Sequence, residues 1–574
     1  LARAQWIEKQ AGKELYEVFK AVKELFDPYG VLNPNKKITS DAHLMVKHLR
    51  LVPDYRFSDG ERPKPSHITP LQAANFRMFK PQTSVLAEMT VEGLSSPEQV
   101  HAHGVSLLHW RAGELQDETT RCNGNGHCRT TGAEAAMCPR FKYNRVEDAS
   151  PRAKANVLRR MLNGRQRHSA FNSPEIIEIM DYCFNCKRCV DECPSQVNIP
   201  KLAMEAKARY HMSHGLTFDK WLFVNVELFF RMGRVFAPIA NTLNGMPLFK
   251  WFVEKLSGID RRRELPSFKN WRLRHQMTYS PEGPRPKAVL YLDLYQRYCQ
   301  PDLAQAAVDI LEHNGFEVAV PDLPWTNMPA LTHGAVMAAR KQIRTVCAGL
   351  APYAFKGIPI LTLEPTATLC LTQDYLYFVD TPETRAVARH AQDFCAFLLG
   401  LHHQKRLKTS FQRVDGSFAY LTGCHMKALG VGTPAVDLLR LVPGVSVEKL
   451  NDQVCCGMAG DFGMLEKHYD EAMWIGRNVF REASATNARY GCTESTGCKM
   501  QLEHGSGLPA LHPVQVLAKA YGFEWPELSE YVFEPMDLPA KPEHSNGHAE
   551  EEEAPAAKSR DSHAHADSHA HAGH

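Results

Sequence analysis

Four closely spaced cysteines have the spacing of an iron–sulfur cluster motif. Cys183, Cys186, Cys189 and Cys193 follow the pattern C-x2-C-x2-C-x3-C, and Pro194 comes directly after the last of them. In this pattern the first three thiolates bind one [4Fe-4S] cluster and the fourth binds a different cluster. A zinc ribbon would have two separated C-x2-C pairs, and disulfide frameworks are typical of short secreted chains. The spacing therefore predicts a [4Fe-4S] site.

A second, incomplete motif lies upstream. Cys122 and Cys128 take the first and third positions of the same pattern, Asn125 stands at the second position, and Cys138 is followed by proline. Asn125 could be a ligand in place of the missing cysteine, as could His127, but both residue types are also common in turns. The upstream motif thus predicts a cluster site that is one thiolate short.

The two motifs together predict an exchange of ligands. The first cluster is expected to have four thiolates, from Cys138, Cys183, Cys186 and Cys189. The second would have three, from Cys122, Cys128 and Cys193. It could therefore be a three-iron cluster, a four-iron cluster with a ligand other than cysteine, or an empty site.

Composition fits a soluble, multidomain protein. The chain has 574 residues, of which 44% are hydrophobic and 23% charged, and a formal net charge of +3, so that no strong field indicates a nucleic-acid partner. Its 16 cysteines gather into motifs, which favours metal binding in a reducing compartment. The most apolar run, 221–230, is too short to span a bilayer, and no signal peptide is visible. We therefore expect a cytoplasmic protein, with peripheral attachment to the inner face of a membrane left open.

Helices are expected to position the cluster motifs. Residues 1–26 have one apolar face, and residues 151–162 are amphipathic. Ser173, Pro174 and Glu175 form a helix start that leads to Cys183. We expect an α-helical two-cluster ferredoxin domain at 115–215. A helical linker at 216–285 follows, with two apolar helices that could pack as a hairpin on neighbouring domains or lie on a membrane surface.

The remainder alternates between strands and helices. Strands are predicted at 288–292, 316–320 and 358–363, and the pattern begins again with strands at 418–422 and 445–450. Such alternation is typical of parallel α/β layers, and its repetition indicates a duplicated domain, with copies at 286–405 and 406–539. The tail at 540–574 is rich in Glu, Ala and His without apolar periodicity, which predicts disorder; its histidines could also bind Zn or Ni.

Cysteines in the second copy follow the predicted strands. Because the carboxyl ends of parallel strands meet at one edge of a sheet, we expect the thiols there to lie close together. Such a group suits an Fe–S cluster or Zn, although adjacent cysteines could also be ordinary buried residues. The candidates are Cys424, Cys455, Cys456 and Cys498.

This arrangement resembles the cysteine-rich CCG domain found in subunits of heterodisulfide reductase and of anaerobic glycerol-3-phosphate dehydrogenase, and in glycolate oxidase iron–sulfur subunits. The resemblance implies that those four cysteines are metal ligands. Ser495 stands where the family has its penultimate cysteine, and Cys492 could substitute for it. The first copy is then a degenerate CCG domain, in which 323–327 and Glu364–Pro365 replace the motif and Cys299 and Cys370 are structural.

The segment 26–38 resembles the end of FAD-linked oxidases of the vanillyl-alcohol-oxidase type. Asn33, Pro34 and Lys36 match that family's closing motif, and Asn35 replaces its glycine. The resemblance implies that 1–55 is the end of an α+β FAD-linked oxidase domain, that the three matching residues bind FAD, and that 56–114 connects it to the clusters.

The order of the modules resembles fused FAD/Fe–S dehydrogenases that act on D-2-hydroxy acids such as D-lactate or D-2-hydroxyglutarate. It implies a mixed multidomain fold and an Fe–S portion that drains electrons from FAD to a quinone or cytochrome, with partners in the flavin domain and the acceptor. Catalytic residues are not assigned. The alternatives are a separate electron-carrier subunit that docks onto a flavoprotein, and a scaffold in which the cysteines hold structural zinc.

Overall fold

The computed structural model describes residues 7–30, 38, 106–111, 113–132, 135–163, 169–270 and 285–523. Within this part no helix has the length and apolar character needed to pass through a lipid bilayer. The N-terminal helices are α1 (Ile7–Ala11) and α2 (Lys13–Phe26). They confirm the helical pattern of the first residues.

The cluster motifs lie in an all-helical region, as predicted. Its helices are α3 (Glu114–Arg121), α4 (Pro139–Asn144), α5 (Pro151–Asn163), α6 (Pro174–Asp181), α7 (Arg188–Glu192) and α8 (Ile199–His214). Helix α8 is buried over most of its length, and the carboxylate of Glu205 accepts hydrogen bonds from the amides of Leu107 and Leu108. Ser173 precedes α6 as expected, but its hydroxyl bonds to Glu175 rather than capping a backbone amide.

Four short helices follow, where the sequence predicted two. They are α9 (Phe218–Val224), α10 (Val226–Val235), α11 (Ala237–Asn244) and α12 (Pro247–Ser257). Asn225 separates the first pair, and Pro238 and Pro247 lie in the first turns of the last two, where proline is tolerated at a helix start but not in its interior. The predicted hairpin is therefore wrong: α9 contacts α12, α12 contacts α11, and α11 contacts α10.

Two four-stranded parallel sheets complete the described fold. The first has the order β2-β1-β3-β4 and the second the order β6-β5-β7-β8. Their strands are β1 (Lys287–Tyr291), β2 (Glu317–Ala319), β3 (Ile360–Thr362), β4 (Ala391–Asp393), β5 (Gly416–Tyr420), β6 (Val445–Lys449), β7 (Tyr490–Cys492) and β8 (Ala510–Leu511). The identical order confirms an internal duplication of the α/β unit.

Helices cover both faces of these sheets. In the first unit they are α13 (Leu294–Tyr298), α14 (Pro301–His313), α15 (Met328–Thr332), α16 (Val336–Ala354), α17 (Pro365–Leu369), α18 (Tyr375–Phe378), α19 (Pro382–His390) and α20 (Phe394–His403). In the second they are α21 (Cys424–Leu429), α22 (Pro434–Leu439), α23 (Tyr469–Ala485), α24 (Thr496–Ser506) and α25 (Pro513–Ala520). Alternate residues of β1 show the two-sided burial, since Val289 belongs to the core beside α16 and Leu290 to the core beside α14.

Candidate iron–sulfur sites

The first cluster site gathers the four thiols that the ligand exchange predicts. One cavity is lined by Cys138, Cys183, Cys186 and Cys189. Cys138 immediately precedes α4, Cys183 follows α6, and Cys189 lies in α7, so that three short helices set the positions of the sulfurs. None of the four forms a disulfide. The tertiary fold thus brings an upstream cysteine to the downstream triad.

Cations surround these thiols. Arg140, Lys154, Lys187 and Arg188 line the same cavity, and the Lys154 ammonium donates to the carbonyl oxygens of Asp148 and Ala149 at 3.0 and 3.1 Å. Burial lowers the pKa of Lys154, while the nearby thiols counteract this. A nearby set of positive groups offsets the charge of thiolates that bind a metal, which fits an anionic cluster.

The thiols would be neutral without metal. Burial, reinforced by the neighbouring cysteines, raises the pKa of Cys186 and of Cys189 well above the ordinary value. Thiolate is the form that binds iron, so metal binding and deprotonation must occur together at this site. Among the residues that the structure describes, no group of three or more His, Cys, Asp or Glu side chains is arranged to hold a single metal ion.

The second site contains three thiols and an amide. Cys122, Cys128 and Cys193 line it together with Asn125 and Cys189. The side chain of Asn125 is engaged in its own loop: its Nδ2 donates to Asn123 Oδ1 (2.8 Å), and its Oδ1 accepts from the amide of His127 (2.9 Å). Asn125 therefore acts as a turn residue at the edge of the site.

A third group of thiols lies in the second α/β unit. Cys424, Cys455, Cys456 and Cys498 line a cavity of about 250 Å³. Cys424 begins α21 after β5, the Cys455–Cys456 pair follows β6, and Cys498 lies in the first turn of α24 after β7. The Sγ atoms of Cys456 and Cys498 are 3.3 Å apart. The carboxyl ends of three parallel strands thus meet as the sequence predicts.

Cys492 does not substitute for the missing cysteine. It ends β7, is fully buried, and belongs to the core that includes Tyr420 and Leu511. Ser495 instead lines the cavity beside Cys498. The expectation that Cys492 could take this place is wrong, because its strand position directs the side chain into the core between the helices and the sheet.

The first α/β unit supplies the opposite wall of this cavity. Asp293, Tyr295, Trp325, Glu364 and Thr366 line it from the loops that follow β1, β2 and β3. Burial raises the pKa of Asp293 to about 6 and that of Glu364 to about 7. We did not predict these carboxyl groups from sequence. The signal was their place in the duplicated pattern, since both follow strands at the positions where the second unit carries the cavity loops around Cys424 and Ser495.

Two cysteines each border two sites. Cys189 lines both the first and the second cluster cavity, and Cys186 lines both the first cluster cavity and the CCG cavity. His425 reinforces the second junction: its Nε2 lies 3.0 Å from the carbonyl oxygen of Asn185, and its Nδ1 lies 2.9 Å from Thr366 Oγ1. The three sites therefore form a continuous series with the first cluster site in the middle.

The other candidates lie elsewhere. Cys299 is buried in an aromatic cluster with Phe230 and Trp325, and Cys370 is buried in the core beside α16, so both positions fit the structural role expected for them. The predicted FAD residues Asn33, Pro34 and Lys36 lie outside the described residues. So do the connecting segment from 56 to 105 and the tail at 540–574.

Three families match parts of the chain. Residues 1–37 match the FAD linked oxidases, C-terminal domain; residues 118–197 match the 4Fe-4S dicluster domain; and residues 418–503 match the cysteine-rich CCG domain. The dicluster match contains all seven cysteines of the first two sites. The CCG match contains the four cysteines of the third site, and this family is found once, in the second α/β unit.

Curated relatives combine the same parts. An anaerobic glycerol-3-phosphate dehydrogenase subunit of Escherichia coli is 27% identical over 349 residues, which are 60% of this chain and 87% of that protein. D-2-hydroxyglutarate dehydrogenase of Pseudomonas putida is 21% identical over 564 residues, covering 90% of this chain but only 50% of that protein. A protein described as a probable glycolate oxidase iron-sulfur subunit of Bacillus subtilis is 22% identical over 433 residues, 69% of this chain and 94% of that protein.

The chain spans about half the length of the D-2-hydroxyglutarate dehydrogenases that it matches. The part that it shares with them contains the FAD-oxidase ending, the dicluster cysteines and the CCG cysteines in one order. The chain is therefore a distant homologue of the iron–sulfur, electron-transfer portion of FAD-linked dehydrogenases, and it joins the end of an FAD-linked oxidase domain to a 4Fe-4S dicluster domain and a CCG domain.

Proposed function

We propose that this chain relays electrons within a flavin-dependent dehydrogenase that oxidises a 2-hydroxy acid of the D-2-hydroxyglutarate, D-lactate or glycolate class. A flavin takes two electrons from such a substrate, whereas an iron–sulfur cluster bound at these cysteines would carry one electron at a time. The chain would thus deliver the pair singly to a quinone or cytochrome-type acceptor. The substrate class rests on the names of the relatives.

The observation that carries the proposal is the sharing of Cys189 and Cys186. Each borders two of the three thiol-lined sites, so no intervening layer of protein separates one site from the next. Isolated structural metal sites have no need of such contact. A series of adjoining sites is what stepwise electron transfer requires.

The protein's own residues hold this path in a dry, positively charged environment. Lys187 and Arg140 are buried beside the first site, and the Lys207 ammonium donates to the carbonyl oxygen of Cys183 at 3.0 Å. Positive charge and hydrogen bonding near the sulfurs stabilise the more negative, reduced state. These groups therefore set the potential of the first site relative to its neighbours.

The N-terminal helices support a flavin partner. Apolar side chains of α2 are exposed, with Leu25 77% and Phe26 75% accessible, and only Tyr16 of this helix is buried. An amphipathic helix with an uncovered apolar face requires a packing partner. The remainder of an FAD-linked oxidase domain, in the same or in another polypeptide, is the partner that the match at 1–37 suggests.

Anaerobic purification tests the proposal. Iron and acid-labile sulfide should be present at about four or more atoms of each per chain, with visible absorption that bleaches on reduction and an EPR signal in one oxidation state. Stoichiometric zinc without iron would refute both the relay and its alternative below.

A second candidate is a separate electron carrier that docks onto a flavoprotein. The alignment with 87% of the glycerol-3-phosphate dehydrogenase protein favours it, because that relative is itself one subunit of a larger enzyme. The match at 1–37 favours a direct association with the flavin domain. Flavin content of the purified native complex, together with the number of polypeptides that carry it, distinguishes the two.

A further inference from the structure

Helices α9 to α12 expose an unusual amount of apolar surface. Thirteen large hydrophobic side chains between Phe218 and Leu256 are exposed, among them Val235 (67%), Ile239 (62%), Leu248 (77%), Trp251 (45%) and Phe252 (54%). We call this set of exposed side chains the docking face. The opposite sides of the same helices pack on the body of the protein, α9 against α15 and α10 against α13.

The charges around the docking face are one-sided. Residues 217–263 contain eight Lys or Arg and four Asp or Glu. Within 217–257, all of which the structure describes, the exposed charged residues are Arg231 and Lys255, and Arg261 and Arg262 are exposed just beyond α12. The acids Asp219, Glu227 and Glu254 are less accessible and are paired with Lys467, Arg231 and Arg261.

We infer that the docking face lies on an anionic lipid bilayer, and that the cavity behind it receives the ring of a lipid-soluble quinone as the electron acceptor. Short amphipathic helices with exposed Trp, Phe and Leu, flanked by cations and lacking exposed acids, have the composition of helices that lie in a bilayer interface. Anionic headgroups complement the exposed cations, and arginine and lysine can keep their charges at the headgroup level. The acceptor part of this inference rests on the proposed relay, whereas the docking part does not.

The cavity connects the docking face to the CCG cysteines. Its wall includes Phe223, Val226 and Phe230, which are residues of α9 and α10. On the far side it is lined by the CCG cysteines, and Trp325 and Met328 add further apolar surface. An apolar cavity of about 250 Å³ with a few polar groups suits a planar ring. Docking would place this space next to the lipid that holds the quinone.

The cavity also contains acids that can supply protons. Reduction of a quinone to a quinol takes two electrons and two protons: both carbonyl oxygens gain a hydrogen and the ring becomes aromatic. In the proposed relay the electrons arrive singly by way of the cysteines. Asp293 and Glu364, which line the cavity and are buried, are positioned to give the protons and to regain them from solvent.

Vesicle flotation tests the docking face. The holoprotein should float with vesicles of phosphatidylcholine mixed with phosphatidylglycerol, and salt should weaken the binding. The double variant Leu248→Glu/Trp251→Glu should bind at least about tenfold more weakly, since two large apolar side chains leave the interface. Phe355→Glu is the matched control, because Phe355 is 61% exposed on a different part of the chain. Unchanged cluster absorption shows that the variants fold.

Three results would overturn the docking inference. These are the absence of flotation, equal loss in the control variant, or a stable dimer or flavoprotein complex in which the docking face is covered. None of these measurements depends on electron transfer, so they separate a failed docking face from a failed relay.

Binding of decylubiquinone tests the cavity. Its affinity is measured by equilibrium dialysis with the holoprotein and with Met328→Trp, which fills the cavity. We expect binding to fall at least about tenfold in that variant and to be unchanged in Met337→Trp, since Met337 is 63% exposed. Equal binding by both variants, or no binding by the unaltered holoprotein, would overturn the assignment of the acceptor site even if the iron content is as proposed.

Discussion

The Nζ atom of Lys187 lies 2.6 Å from Oδ1 of Asp374, and both side chains are almost fully buried. Lys187 belongs to the loop between two cysteines of the first cluster site, whereas Asp374 ends a π-helical turn in the first α/β unit. Burial lowers the pKa of Lys187, but the charge of Asp374 outweighs this effect and the pKa is raised overall. The pair therefore fixes the cluster loop to a domain that contributes no cluster cysteine.

Removing the charge of Asp374 should destabilise the protein. Asp374→Asn leaves a buried ammonium without its counter-ion, and we expect a loss of about 3–5 kcal/mol in the free energy of unfolding. The measurement is denaturant unfolding of the anaerobic protein. Asp415→Asn is the control, because its pair with Arg413 is exposed, and it should change little. An effect of equal size in both variants would contradict the role of the buried pair.

Cys186→Ser should separate the two half-reactions of the complete enzyme. Loss of a thiolate from the first site should abolish reduction of the acceptor and remove up to about four iron atoms per chain, while flavin reduction by substrate continues. Stopped-flow absorption follows the two steps separately. Cys299→Ser should leave iron content unchanged, since Cys299 lies in an aromatic cluster. Equal loss of both half-reactions in Cys186→Ser would count against the relay.

Gly457 is required by the fold of the Cys455–Cys456 loop. Its φ is +87°, and an added Cβ would lie 2.0 Å from the carbonyl oxygen of Ala472 on α23. Gly457→Ala should therefore cost more than about 3 kcal/mol, from backbone strain and overlap together. Gly460→Ala is the matched control: φ is +67° but no atom lies within 4 Å, so it should cost about 1 kcal/mol. Thermal unfolding of both variants decides, and similar melting temperatures would contradict the steric argument.

Glu494 should make stability depend on pH. Burial raises its pKa from 4.5 to about 8, and the Tyr420 hydroxyl donates to it at 2.7 Å. The folded state thus keeps a proton that the unfolded state loses, so this contribution is complete below about pH 4.5 and is lost as the pH rises to about 8. Glu494→Gln keeps an acceptor for Tyr420 and should flatten that fall. Melting temperatures of both proteins across this range test it; parallel curves would show that Glu494 does not titrate as described.

The cysteine motifs could be understood from the sequence because their geometry is local. Within 183–193 the spacing alone limits which thiolates can reach one cluster, and the exchange of Cys138 and Cys193 follows from two such motifs. The duplicated α/β pattern was likewise visible, since the alternation of strands and helices is carried by burial along the chain. Element bounds in both sheets differ from the prediction by only a few residues.

Long-range contacts decided the rest. Sequence could not tell whether Cys492 or Ser495 faces the CCG cavity, because the choice depends on which side of β7 meets the core. It also could not show that Cys186 borders two sites, or that Asp293 and Glu364 complete the cavity, since these contacts join residues more than a hundred positions apart. The types and spacing of the cysteines determine the chemistry that is available here, while the packing of two α/β units against a helical domain determines which sites adjoin.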